Sequence, residues 1–79
     1  MTKIEFWTSD GRTMIPPILI VPSGSPIPRI GEIVALPGEL NRKWRLCEGV
    51  VHCFDLVDEV EIDGENCRQF TVKVLLSEP

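Results

Sequence analysis

Six of the seven prolines, Pro16, Pro17, Pro22, Pro26, Pro28 and Pro37, fall between residues 16 and 37 of a 79-residue chain. Proline lacks a backbone donor and pushes the residue before it out of the helical region, so a long helix is excluded from the first half. Gly11, Gly24, Gly31 and Gly38 punctuate the same stretch. What remains between the breaks is short strands and turns.

Lys3 to Thr8 places Ile4 and Phe6 on one face and Glu5 and Trp7 on the other, the two-residue period of a half-buried strand. Ser9-Asp10-Gly11-Arg12 follows as its turn. Ile18 to Val21 is an aliphatic run bracketed by prolines, which suits a sheet edge, where a missing donor is tolerated. Residues 28 to 36 read as a turn and a strand, and Pro37 to Asn41 as the next turn.

The second half carries the longer strands. Lys43 to Asp55 is long for one strand and has Gly49 at its middle, where glycine commonly marks a bulge that bends the strand. Val57 to Ile62 and Cys67 to Leu76 flank Asp63-Gly64-Glu65-Asn66, a hairpin connection in which Gly64 supplies the positive φ. Phe70, Val72, Val74 and Leu76 alternate with Gln69, Thr71, Lys73 and Leu75, so the last strand has a defined inward face. Val50, Phe54 and Val57 also fit helical spacing, and a helix over Val50 to Ile62 is the competing assignment. The expected fold is all-β: one domain spanning 1–79, a small barrel of five or six short antiparallel strands, since closure removes exposed sheet edges. At this size the core is small and the chain is expected as a monomer or a small homo-oligomer.

Charge is distributed unevenly. The segment DLVDEVEIDGE holds Asp55, Asp58, Glu59, Glu61, Asp63 and Glu65 with no Lys or Arg, so against a net charge of -4 the rest of the chain stands at +2. On a strand, Glu59, Glu61 and Asp63 would form an outward acidic row backed by inward Val60 and Ile62, with Asp58 and Glu65 contributed by the adjoining turns. Such a row can meet a basic groove by approximating the charge spacing of a nucleic-acid strand, or it can be a solvated edge whose like charges deter sheet-to-sheet aggregation. Trp7, on the outward face of the first strand, is a candidate interface anchor, with a barrel lid or dimer contact as the other reading.

Arg42-Lys43-Trp44-Arg45 sets three cations around an aromatic, a combination that can hold a phosphate and stack a base, although a tryptophan beginning an apolar strand is more often core. A chain at -4 steers poorly toward nucleic acid, so direct binding is not expected. His52 and Cys53 are neighbours on an extended strand, point to opposite faces, and cannot form a dyad. Cys47, Cys53, Cys67 and His52 reach the ligand count of a zinc site but lack its pairwise spacing, and buried thiols with a partly exposed imidazole are expected instead. With no glycine-rich phosphate loop and no Ser/His/Asp set, no enzyme, catalytic residue, metal or cofactor is expected.

Three cysteines, an odd number, do not form a secreted disulfide framework, and the N-terminus lacks the apolar core of a signal peptide, so a cytoplasmic location is expected. No run approaches the roughly 18 apolar residues of a membrane-spanning helix.

Pro28-x-x-Gly31-Glu32-x-Val34, then Trp44-Arg45-Leu46, Val50-Val51-His52-Cys53-Phe54-Asp55 and a final alternating strand, resembles the pattern of small SH3-like barrel proteins of phages and mobile elements. The resemblance covers residues 28 to 76. It implies a protein of anti-CRISPR or anti-defence type, one that blocks a bacterial nucleic-acid-binding complex without catalysis. The protein partner would present a basic surface to Asp58, Glu59, Glu61, Asp63 and Glu65. The alternatives are a nucleic-acid-binding barrel that uses residues 42 to 45, and a structural subunit of a phage or larger assembly.

Overall fold

A computed structural model describes residues 1–36 and 44–78, and the side chains of these except 55–60, 62, 66 and 67. Five strands follow one another: β1 (Thr2–Thr8), β2 (Met14–Val21), β3 (Ile33–Ala35), β4 (Trp44–Ile62) and β5 (Glu65–Leu76). They form one sheet in the order β2-β1-β5-β4-β3, curled into a half-barrel. The all-β class and the five strands are as expected.

Pro16 and Pro17 sit where their missing donors do least harm. β2 is an edge strand that begins at Met14 and runs through Pro16 and Pro17. Its antiparallel ladder with β1 slips there: Ile4 lies opposite Leu19 and Phe6 opposite Ile15, leaving Pro16, Pro17 and Ile18 against Glu5 alone. A central strand could not absorb such a gap, because both its edges need continuous donors.

β4 answers to the long strand expected around Gly49, and the helical alternative over Val50 to Ile62 is not adopted. Cys47 lies opposite Leu76 and Gly49 opposite Leu75, so Glu48 is the extra residue of a bulge. A second shift, between Cys53 and Val57, leaves Phe54, Asp55 and Leu56 without partners on β5. These two bends let one strand pair with β3 through residues 44–46 and with β5 through the rest. Ile62 opposite Glu65 closes a two-residue turn at Asp63 (φ 51°) and Gly64 (φ 80°), the double positive φ of a tight hairpin. Glu65 and Asn66, expected in the connection, therefore belong to β5.

One pairing departs from the antiparallel expectation. β1 and β5 run parallel, from Thr2 opposite Phe70 to Thr8 opposite Leu76. The chain between them is long enough for the crossover a parallel pair requires. Alternation along a strand reports its buried face and carries no information on the direction of its neighbour.

Ile4, Phe6, Ile15, Leu36, Cys47, Val72, Val74 and Leu76 form the core, with Leu19, Val21, Ile27, Val34 and Val50 packed against it. On β5 the expected inward face holds for Val72, Val74 and Leu76, but Gln69 and Thr71 of the expected outward face are buried as well, and Phe70 is 40% exposed. The exposure of Phe70 follows from the register: β1 starts opposite it at Thr2, and its cover reaches no further.

Candidate functional site

Beyond Phe70, β4 and β5 continue as a two-stranded arm. Its rungs run from Val57 opposite Phe70 to Ile62 opposite Glu65, five steps that carry the turn about 17 Å past the end of β1. The molecule is accordingly elongated, 39 × 24 × 22 Å. Among the described residues no further strand pairs with either outer edge of the arm.

Within residues 57–69, Asp58, Glu59, Glu61, Asp63 and Glu65 stand against Arg68 alone, a net charge of -4 equal to that of the whole chain. Glu61, Asp63, Glu65 and Arg68 are exposed. In register, Asp58 lies opposite Gln69, Glu59 opposite Arg68 and Glu61 opposite Asn66. The acidic row differs from expectation in two respects. Asp63 occupies the turn, where its positive φ removes it from the alternation of Glu59 and Glu61. Asp58 and Glu65 are strand residues of β4 and β5, because the turn needs only two residues. The side chains of Asp58, Glu59, Val60 and Ile62 lie outside the described set, and with them the inward packing expected of Val60 and Ile62.

At the base of the arm, sequence reasoning missed an aromatic shelf. Phe54, in the unpaired part of β4, is 72% exposed. Its ring meets that of Phe70 edge on, with centroids 6.1 Å apart and planes at 73°. On its other side His52 stacks at 6.1 Å and 16°. The signal lay in the sequence as two phenylalanines and a histidine on long strands. What could not be read was that the second bulge and the end of β1 fall at the same level. His52 also lines an open cleft of about 1150 Å³ between the 24–35 segment and β4, with Val50 beside it. Backbone bonds hold one wall: Gly31 N donates to Cys47 O (2.9 Å) and Cys47 N to Glu32 O (2.8 Å).

Trp7 is half-buried on the face opposite Ile4 and Phe6. Its Nε1 donates to Glu5 Oε1 (3.3 Å), Glu5 Oε2 pairs with Lys3 Nζ (3.4 Å), and Lys73 Nζ lies 4.9 Å from the ring centroid. Opposite Leu75 in register, Trp7 is ten residues along β5 from Glu65, about 34 Å, so the structure does not bring it to the acidic arm.

The basic and aromatic group is likewise dispersed. Trp44 is 67% exposed, a correction to its expected place in the core, because it pairs with Ala35 of the three-residue edge strand β3 and no layer of the described residues covers it. Arg45 turns away and donates from Nη1 to Ser77 O (3.0 Å). Arg42 and Lys43 lie outside the described residues.

Cys53 is buried while its neighbour His52 is exposed, in keeping with opposite faces. Cys47 is fully buried in the core; burial pushes its thiol pKa up, and the charge of Glu32 adds to the rise. Among the described residues no three His, Cys, Asp or Glu side chains gather into a group that could hold a metal ion, and no helix is long and apolar enough to cross a membrane. No protein family, curated protein or solved structure matches this chain.

Proposed function

We propose that this protein is a non-enzymatic binding module of the cytoplasm that presents the β4–β5 arm to a basic surface on another protein. Its mode of action is occlusion, the inhibitor mechanism suggested by the likeness to phage-type anti-defence proteins: a basic groove that serves nucleic acid is filled by carboxylates. The observation that carries the reading is the coincidence of charge and shape, since the segment that holds the chain's net -4 is the one that projects past β1. A solvated edge explains the charge alone; projection on a two-stranded arm gives that charge access to a concave partner. Electrostatic complementarity of this kind speeds association and makes it salt-dependent.

The test compares wild-type protein with two variants in affinity capture from host lysate. One reverses the arm (Glu61→Lys, Asp63→Lys, Glu65→Lys); the other removes the basic and aromatic residues (Trp44→Ala, Arg45→Ala). The arm variant is expected to lose its specific partner and the second to keep it. The opposite pattern, with oligonucleotide binding at low salt, would establish the nucleic-acid-binding alternative.

A further inference from the structure

The shelf of His52, Phe54 and Phe70 specifies what the partner must bring. A single exposed apolar side chain is ordinary, but Phe54 in ring contact with both His52 and Phe70 forms a patch that invites cover. Phe54 stands 72% exposed and Phe70 40%, at the level where the arm leaves the sheet. Aromatic faces are negative and attract cations. Arg68 is the one cation on the arm, two residues from Phe70, and it stands against five carboxylates, so the net -4 of the arm strengthens that preference. An acidic segment or a nucleic acid is repelled there, and a purely apolar one leaves the carboxylates without partners. The chain already uses the same chemistry on its other face, where Lys73 lies over the Trp7 ring.

We infer that the arm and shelf together bind an extended, arginine-containing basic segment of a protein, with guanidinium groups stacked on Phe54 and Phe70 and neighbouring cations paired with Glu61, which shares Phe70's face in register, and with Asp63 at the turn. This rests on the reading of the arm as the binding surface. Arginine is specified over lysine because its planar, weakly hydrated head stacks on a ring, whereas an ammonium holds its water. Length follows from the register. Val57 lies opposite Phe70 and Glu61 is four residues further along β4, about 14 Å, so an extended segment of about five residues reaches from the shelf past Glu61 to the turn.

The experiment titrates full-length protein into fluorescein-labelled nona-arginine and nona-lysine peptides, which carry equal charge, at low salt and again at high salt. Wild type is expected to bind nona-arginine several-fold more tightly, and added salt is expected to weaken both peptides while preserving their order. Phe54→Ala should weaken nona-arginine about threefold to tenfold and leave nona-lysine nearly unchanged. Phe54→Leu, which keeps apolar bulk without a π face, should behave like the alanine variant and guards against a local packing effect. The arm-reversed variant should lose both peptides. Equal affinity for the two peptides, or no change on Phe54→Ala while arm reversal still abolishes binding, overturns the aromatic site and leaves the acidic arm standing. Binding of both peptides untouched by arm reversal overturns the reading of the arm itself.

Discussion

β5 passes through two environments in twelve residues. From Thr71 to Leu76 it lies between β1 and β4, and Val72, Val74 and Leu76 are 3%, 0% and 1% exposed. From Glu65 to Phe70 it lies against β4, with β1 reaching it only at Phe70, which is 40% exposed. Phe70 has the same parity as Val72, Val74 and Leu76, so its exposure follows from the loss of the third strand, and beyond it the apolar alternation also stops, with Arg68 and Asn66 at the next positions. A two-stranded ribbon has no second layer on which to bury its apolar face, and that is the condition under which such a face is left for a partner.

The comparison is most easily broken by stability. Leu76→Ala, in the three-stranded half, should cost about 2–5 kcal/mol in denaturant unfolding, whereas Phe70→Ala should cost about 1 kcal/mol or less. Equal costs would mean that the arm belongs to the cooperative core. Next in size is Gly49→Val at the first bulge. A Cβ there would stand 3.0 Å from Leu75 Cδ1, so a larger side chain must displace Leu75, at about 1–3 kcal/mol.

Gln69 sharpens the boundary. It is 3% exposed at the root of the arm, and its Nε2 has no hydrogen-bond partner among the described residues. Gln69→Leu should therefore raise stability by about 1 kcal/mol, and a loss of similar size would show that the amide is satisfied after all. The arm-reversed triple variant should stay within about 0.5 kcal/mol per substitution of wild type in thermal unfolding, since exposed charges contribute little to folding.

At neutral pH the smallest effect belongs to Cys47. Because burial raises its folded-state pKa above the ordinary 9.0, the folded form holds its proton longer than the unfolded form. The contribution is fully present below pH 9.0 and is lost as pH rises through the raised value. Stability measured from pH 8 to 11 should fall more steeply in wild type than in Cys47→Ala, and parallel curves would contradict the assignment.

Much of the framework was legible from local chemistry. Prolines in the first half marked β2 as an edge, Gly49 marked a bulge, Asp63-Gly64 marked a turn, and the alternation in β5 marked Val72, Val74 and Leu76 as core. Each of these signals acts through φ, a missing donor, or the side-chain period of one strand. Trp44 was misread because its size argued for burial, while its real position is set by the short β3 beside it. The separation of Trp7 from the arm and the exposure of Phe54 escaped for a similar reason: both depend on which strand lies alongside and where that strand stops.

The sequence by itself determined that this chain is all-β, where its strands bend and turn, and that its negative charge is concentrated near residues 55 to 65. Only the tertiary structure decided that β1 runs parallel to β5 and starts opposite Phe70, and so that the charged hairpin projects as an arm with an aromatic shelf at its base. Strand direction and overlap are properties of pairs distant in the chain, fixed by the summed packing of the sheet rather than by the residues of either strand alone.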